Sequence, residues 1–248
     1  MELFETKCAR CGKPIALTQD PSKIEDEVIR ASLIEMSKAL ICDDCLKSVE
    51  HEEREKREAE WQAKLPELYR RAGIPLAFTV METAPRQDAA RWIWNHRREN
   101  LLICGDTGTG KTTSVCRVLM RMVQNGASVR YMTFRRLIDE LRNRKMSRPA
   151  DEDISQVDLY FDKLRRHEAV CIDEIVGKVK GGDGVAEAMF DLIDRAYAGE
   201  SGPLWLVGNV RDKSMEAIFE EEAGAVERRL TTFRTLTLTA DGIREGVT

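Results

Sequence analysis

From about residue 76 onward, the chain alternates between short apolar segments and longer stretches whose apolar residues recur every three or four positions. The apolar segments have the length of buried β-strands; they are residues 100–105, 128–134, 169–174, 203–209 and 234–239. The stretches between them have the spacing of amphipathic helices. Strands that alternate with helices form a parallel sheet covered on both faces. We therefore predict an α/β domain in which a parallel five-stranded sheet lies between helices.

The first part of the chain follows a different pattern. Apolar residues at helical spacing predict one helix there; they are Ile29, Leu33, Met36 and Leu40. Residues 47–64 are dense in charges of both signs and carry almost no apolar stripe, which is typical of a solvated connector helix. We predict a small, largely helical module with this connector at residues 1–65, and the α/β domain at residues 66–248.

The composition narrows the class of protein. With 42% hydrophobic and 33% charged residues, the chain can bury a core beneath a solvated surface, which argues against a largely disordered chain. No uninterrupted apolar run exceeds four residues, so we expect no transmembrane helix. The first ten residues lack the apolar segment of a secretory signal, and we expect a cytoplasmic protein.

Four of the seven cysteines form two pairs at the spacing of zinc-binding turns. Cys8 lies three positions before Cys11, and Cys42 three positions before Cys45, so that the thiolates can converge on one tetrahedral ion. A reducing cytosol disfavours disulfides. We predict one structural zinc ion on these four residues. A redox dithiol and unliganded cysteines are the alternatives.

The other candidate ligands are weaker. His51 could replace one cysteine, although its place in a charged helix favours a solvated side chain. Cys104, Cys116 and Cys171 lie in or beside predicted core segments, and we expect them to be small buried hydrophobes.

A complete G-x-x-x-x-G-K-[ST] motif follows the first predicted strand and opens a helix, as a phosphate-binding loop requires. Its glycines allow successive backbone N–H groups to surround a phosphate, and the helix N-terminus adds a partial positive charge. Lys111 can reach the β- and γ-phosphates of ATP, and the hydroxyl of Thr112 can ligate Mg²⁺. The predicted nucleotide-binding residues are Gly105, Asp106, Thr107, Gly108, Thr109, Gly110, Lys111, Thr112 and Thr113.

Two carboxylates end the third predicted strand, where ligands of parallel sheets bind. Asp173 is placed to hold Mg²⁺, and Glu174 to orient and deprotonate a water molecule. An ordinary acidic strand end is the alternative, but it becomes weak once the phosphate loop is considered. Because an adjacent glutamate favours water as the nucleophile, we predict ATP hydrolysis.

The order of these segments resembles that of AAA+ ATPases. The phosphate loop is followed by Cys171–Glu174, by a strand that ends in Asn209, and by the pair Arg228-Arg229. More narrowly, residues 70–240 resemble the DnaC-type loaders of bacterial replicative helicases and the related IstB-type transposition ATPases. The Ala-Gly-Ile-Pro segment at residues 72–75 also resembles that group.

The resemblance implies roles for three further residues. Asn209 matches the sensor that contacts the γ-phosphate or the attacking water. Arg229 matches the finger that reaches into a neighbouring subunit's site, with Arg228 as the alternative. The resemblance also implies self-association through AAA+ interfaces.

A basic segment follows the second predicted strand. The net charge of −4 excludes a polycation, so nucleic-acid binding needs a local patch. The resembling loaders place a helix that faces single-stranded DNA here, with Tyr131 or Phe134 as a stacking surface in our hypothesis. A helix with a basic solvent face, and Leu137, Ile138 and Leu141 inside, is the alternative. The basic residues are Arg135, Arg136, Arg142, Arg144, Lys145 and Arg148.

The hypothesis is an ATP-dependent loader of a hexameric replicative helicase onto single-stranded DNA, in which ATP binding and hydrolysis control release of the partner. Some resembling loaders carry an N-terminal cysteine-rich module that engages the helicase, which favours this reading. An IstB-type ATPase that assists a transposase is the nearest alternative. A small-molecule kinase and a zinc adaptor without ATPase activity are the other classes.

Overall fold

The computed structural model describes residues 4–17, 23–80, 86–146, 156–175, 185–209 and 223–247. The chain divides into two compact units, Met1–Lys64 and Leu65–Thr248.

The first unit combines a β-hairpin with helices. Strands β1 (Phe4–Lys7) and β2 (Pro14–Leu17) pair antiparallel, and helix α1 spans Glu27–Lys38. The hairpin was not predicted, because strands of four residues are too short for a periodic signal. The carboxylate of Asp26 accepts the backbone N–H groups of Val28 and Ile29 at 2.9 and 3.1 Å, which defines where α1 begins.

Helix α2 spans Asp43–Ala72 and contains the predicted connector. Its charged part is exposed, whereas Leu65, Tyr69 and Ala72 are buried in the second unit. The helix continues through Pro66, although proline removes one backbone hydrogen bond. Burial of Leu65, Tyr69 and Ala72 in the same stretch offsets part of that loss.

The second unit is built on a six-stranded sheet in the order β4-β5-β6-β3-β7-β8. The first five strands in this order are parallel, and β8 pairs antiparallel with β7 at the edge. The strands are β3 (Leu101–Gly105), β4 (Val129–Thr133), β5 (Ala169–Ile175), β6 (Leu204–Gly208), β7 (Arg234–Leu238) and β8 (Ile243–Val247). The five predicted parallel strands are confirmed. Strand β8 was not predicted, because its sequence Ile-Arg-Glu-Gly-Val lacks a continuous apolar run.

Helices pack beside this sheet, and the predicted α/β class is confirmed. They are α3 (Leu76–Thr79), α4 (Gln87–Asn95), α5 (Lys111–Gln124), α6 (Phe134–Met146), α7 (Gln156–Arg165), α8 (Val185–Tyr197) and α9 (Ala223–Leu230). Among the described helices, none has an apolar stretch long enough to cross a membrane.

The strand order brings the functional segments together. Carboxyl ends of parallel strands lie at one edge of a sheet, where ligands of such folds bind. Strand β3 leads into the phosphate loop, β5 carries Asp173 and Glu174, and β6 leads to Asn209. Because β6 lies between β3 and β5, Asn209 is placed between the phosphate loop and the two carboxylates.

Candidate active site

Glycines allow the phosphate loop to pass close to its neighbours. Gly105 has φ +141°, and a Cβ atom there would lie 2.2 Å from the backbone oxygen of Leu238 on β7, so a side chain does not fit. Gly110 has φ +86° and is the N-cap of α5. The loop borders a cavity of 390 Å³. The cavity is lined by Arg86, Asp106, Thr107, Gly108, Thr109, Gly110 and Ala240.

Lys111 is a buried cation at the first position of α5, with 8% of its surface exposed. Its ammonium donates to the backbone oxygens of Gly105 and Asp106, both at 2.7 Å, and to Oδ1 of Asn209 at 3.0 Å. Burial lowers the pKa of this ammonium, and the negative charge of Asp173 opposes that shift. A buried cation among amide oxygens is suited to an anionic ligand.

Asn209 joins the end of β6 to the phosphate loop. Its Nδ2 donates to Oγ1 of Thr107 at 3.0 Å, while its Oδ1 accepts from Lys111. The structure therefore brings the predicted sensor residue and two predicted nucleotide-binding residues into direct contact. The contact of Asn209 with a γ-phosphate or water stays a prediction.

Asp173 is buried and only partly satisfied. Its Oδ2 accepts the hydroxyl of Tyr131 at 2.8 Å, and its Oδ1 accepts the backbone N–H of Glu174 at 2.6 Å. A carboxylate has about four acceptor positions, so capacity remains for a cation shell. The oxygen donors of Asp173 and Thr112 fit Mg²⁺, which prefers hard ligands. Bound there, Mg²⁺ would neutralise charge on the phosphates.

Glu174 is exposed, whereas its neighbours Asp173 and Ile175 are buried. The pairing of β5 with β6 shifts register between Ile172 and Ile175, and Glu174 has φ +59°, which is uncommon outside glycine. Irregular backbone of this kind concentrates at functional sites. The bulge presents the carboxylate of Glu174 to solvent at the strand end, in keeping with its predicted role as a base.

Tyr131 is a residue whose place in the site the sequence analysis missed. The expectation that Tyr131 or Phe134 stacks on a base is wrong, since they are 3% and 0% exposed. Tyr131 on β4 lies opposite Cys171 on β5, and Cys171 lies two residues before Asp173. The hydroxyl of Tyr131 therefore reaches the carboxylate of Asp173. Burial raises the pKa of Tyr131, so its hydroxyl stays a donor. A hydroxylated aromatic in the strand next to an acidic strand is the only signal the sequence offers.

The basic helix α6 has the inner face that the alternative interpretation, an amphipathic helix with a basic solvent face, predicts. Leu137, Ile138 and Leu141 are buried, while Arg135 and Arg136 are exposed. Arg136 donates to Glu140 at 2.9 Å, which offsets part of the positive charge. The side chains of Arg142, Arg144 and Lys145, and residue Arg148, lie outside the described residues. Contact of this helix with DNA stays a prediction.

The two candidate arginine fingers differ in their surroundings. Arg229 on α9 forms an ion pair with Asp194 of α8, and its guanidinium carbon lies 4.6 Å from the ring centre of Phe190. Arg228 is exposed. A neighbouring subunit's site would have to compete with Asp194 for Arg229, but not for Arg228.

The four N-terminal cysteines converge, and their ligand atoms lie within 4.8 Å of one another. The sulfurs of Cys11 and Cys42 are 3.6 Å apart. Four sulfurs about 2.3 Å from a tetrahedral zinc ion are separated by about 3.8 Å, so the cluster has the size that zinc requires. The predicted alternative ligand His51 is exposed, and its Nδ1 lies 3.3 Å from Oε2 of Glu55.

The surroundings of the thiols also fit a metal. The backbone N–H of Cys42 donates to Cys8 Sγ at 3.3 Å and lowers the pKa of Cys8 to about 6. Hydrogen bonds to the neighbouring sulfurs raise the pKa of Cys45 to about 12. A divalent cation would favour the deprotonated form of Cys45 as well as that of Cys8, because it stabilises all four thiolates at once. Among described side chains of the first unit, Cys8 is the one buried hydrophobic residue, so a bound ion would replace an apolar core.

The three other cysteines are buried as predicted. Cys104, Cys116 and Cys171 are 8%, 0% and 0% exposed. Burial raises the pKa of Cys116 and Cys171, so both stay protonated and unreactive.

Comparison with known proteins identifies the family. Residues 19–229 match the family described as IstB-like ATP-binding protein, and this match covers most of the chain. The chain belongs to the IstB-like ATP-binding family. This confirms the resemblance drawn from the motifs and the classification as an ATPase.

A curated relative of this IstB-like protein has low sequence identity to it. An IS21-like ATP-binding protein of an insertion sequence from Bacteroides fragilis is 25% identical over 132 residues. The alignment covers 49% of this chain and 62% of that relative, which is less than two thirds of its length.

Solved structures show looser similarity. A crystal structure of DnaI has a TM-score of 0.49 at 13% identity, and the match covers 64% of this chain and 89% of that one. The crystal structure of the DnaC helicase loader has a TM-score of 0.45 at 12% identity, and the match covers 63% of this chain and 93% of that one. AMPPCP-bound DnaA from Aquifex aeolicus has a TM-score of 0.48 at 12% identity, and the match covers 61% of this chain and 44% of that one. All three TM-scores lie below 0.5, so these similarities carry no functional weight.

We predict that the IstB-like protein holds one Zn²⁺ per chain. Metal analysis of the purified protein should return near-stoichiometric zinc, because four converging thiolates complete a tetrahedral shell. The Cys42→Ser, Cys45→Ser double variant should lose it, and Cys116→Ala, outside the cluster, should keep it. A wild type that is folded, active and free of metal would disprove the prediction.

We predict different effects of Lys111 and Glu174 on ATP turnover. Lys111→Ala should weaken ATP binding, since it removes the buried cation. Glu174→Gln preserves the shape of the site but removes the base, so ATP should bind and persist while turnover falls by about 10²–10⁴-fold. Binding and ATPase assays separate the two effects.

The control is Glu245→Gln, which changes an exposed carboxylate on the edge strand β8 and should leave both binding and turnover unchanged. If Glu174→Gln hydrolysed ATP at the wild-type rate, the base would lie elsewhere.

Proposed function

We propose that this protein loads a hexameric replicative helicase onto single-stranded DNA in the cytoplasm, and that ATP binding and hydrolysis control release of the partner. The observation that carries the proposal is the four-cysteine cluster, which lies in a compact unit separate from the ATPase. Cys8 and Cys11 precede residues 19–229, the part that matches the family, whereas Cys42 and Cys45 lie within it. The cluster belongs to the first unit, and the phosphate loop belongs to the second.

The first unit has the surface of a protein-binding module. A four-thiolate site is closed to substrate, so its role is structural. Among the described side chains of α1, three apolar ones lie in solvent: Val28, Ile29 and Met36 are 76%, 52% and 66% exposed. Clustered exposed apolar residues mark interaction sites. A partner protein that covers this face of α1 would bury them.

Two features of the second unit support contact with single-stranded DNA and with further copies of the chain. The exposed Arg135 and Arg136 on α6 can neutralise phosphates. Arg228 lies exposed at the end of α9, beside Arg229, which is the residue that the resemblance assigns to a finger acting in a neighbouring subunit.

Assistance to a transposase is the second candidate. The family match and the IS21-like relative favour it.

The deciding experiment uses the helicase and any IS21-type transposase encoded by the same genome. We expect the purified protein to bind the helicase with ATP and to place it on circular single-stranded DNA, measured as unwinding of an annealed strand. Met36→Asp should abolish loading but leave DNA-free ATPase activity intact, because it adds a charge to the exposed face of α1. Glu50→Lys, on the solvated part of α2, is the matched control. Binding to the transposase alone would refute helicase loading and support the second candidate.

We predict that Arg229 completes the site of a neighbouring subunit, with Arg228 as the alternative. Arg229→Ala should bind ATP yet hydrolyse it poorly, since arginine fingers contribute about 10³–10⁵-fold in GTPases. Mixing Arg229→Ala with Lys111→Ala should restore activity. The Lys111→Ala subunit then supplies its intact Arg229 to the intact phosphate loop of an Arg229→Ala neighbour. The measurement is ATPase activity while one variant is titrated into the other at constant total protein.

Two further variants assign the role. Arg228→Ala, taken through the same titration, shows which arginine complements. Asp194→Ala frees Arg229 from its ion pair and should leave turnover at least at the wild-type level. Activity that equals the sum of the separate variants, where association is verified, would contradict a finger acting between subunits.

A further inference from the structure

The cavity beside the phosphate loop contains a cation that belongs to no recognised motif. Arg86 lies one residue before α4 and lines this cavity with Asp106–Gly110 and Ala240. Its stem packs on the loop itself, because its Cγ lies 3.0 Å from the place a Cβ of Gly110 would occupy. Its side chain is 17% exposed.

The guanidinium of Arg86 is held from two sides. Nη1 donates to the backbone oxygen of Thr239 at 2.8 Å, while Nε and Nη2 donate to the two carboxylate oxygens of Asp88 at 3.2 and 3.1 Å. A guanidinium has five N–H groups, so these bonds leave two for another acceptor. The side chain is thereby fixed before any ligand arrives, which limits the entropy lost on binding.

The strand order shows which end of a nucleotide lies near Arg86. Lys111 donates to Asn209 at the end of β6, so the β- and γ-phosphates that it serves extend toward β6 and β5. Thr239 and Ala240 follow β7, on the opposite side of β3. Arg86 therefore borders the part of the cavity that faces the nucleoside end.

We propose that Arg86 binds the α-phosphate of ATP and ADP through its two remaining N–H groups. A planar guanidinium is matched to a phosphate, and burial strengthens the contact. The proposal rests on nucleotide binding by the phosphate loop. Because the α-phosphate is common to ATP and ADP and is not transferred, Arg86 contributes to affinity for both and not to the chemical step.

The test is calorimetric titration of ADP, and of a non-hydrolysable ATP analogue, into the full chain with Mg²⁺. Arg86→Gln should weaken both nucleotides by the same factor, about 10- to 100-fold, and leave the weak binding of adenosine unchanged. In ATPase assays it should raise KM and leave kcat unaltered. Arg86→Ala should behave likewise if it folds, as judged by its melting temperature without nucleotide.

The matched control is Asp88→Asn, which breaks the anchor on α4 but leaves the cation in place, and should retain affinity for ADP within about 3-fold. If Arg86→Gln bound both nucleotides as tightly as wild type, or if Asp88→Asn lost as much affinity as Arg86→Gln, Arg86 would be an anchor of α4 and the proposal would be overturned. A wild type that binds neither nucleotide would instead overturn the nucleotide site itself.

Discussion

The hydrogen bonds of the buried Lys111 ammonium are the interaction on which the geometry of the candidate active site depends. A charge in the protein interior is tolerated only with close polar partners, and this one has the backbone oxygens of Gly105 and Asp106 and the amide of Asn209. These contacts join the end of β3, the start of α5 and the end of β6. The cation thus holds the phosphate loop and Asn209 in one arrangement, and a bound phosphate would meet donors already in place.

Two adjacent carboxylates in β5 have opposite surroundings. Asp173 is buried and held by Tyr131 from the neighbouring strand, while the bulge leaves Glu174 exposed. A buried, oriented carboxylate suits a cation ligand, and an exposed one can approach water. The different exposure of these two carboxylates thus comes from the backbone irregularity at the strand end.

The first unit relies on a different source of stability. Its described side chains include a single buried hydrophobic residue, Cys8, so apolar burial contributes little. Four converging thiols can supply the missing free energy through a metal. A unit stabilised in this way can keep apolar side chains of α1 in solvent, where a partner protein can bury them. The scarcity of buried apolar residues and the exposed apolar side chains of α1 are thus two sides of the same composition.

Local sequence determined the parts of this protein that depend on neighbouring residues. The phosphate loop, the five parallel strands and the paired cysteines each follow from short-range spacing, because glycine conformation, strand burial and ligand geometry operate within a few residues. Other features needed the tertiary structure. Tyr131 reaches Asp173 only because β4 pairs with β5, and Arg86 reaches the phosphate loop only because the residues after β7 accept its guanidinium. Strand β8 exists through its pairing with β7, and the hairpin of β1 and β2 forms around a cysteine turn. The contacts of Tyr131 and Arg86 join residues 42 and 153 positions apart in the chain, and no local pattern encodes which distant side chains will meet. The two hairpins are local in sequence, but their short strands carry no clear apolar pattern.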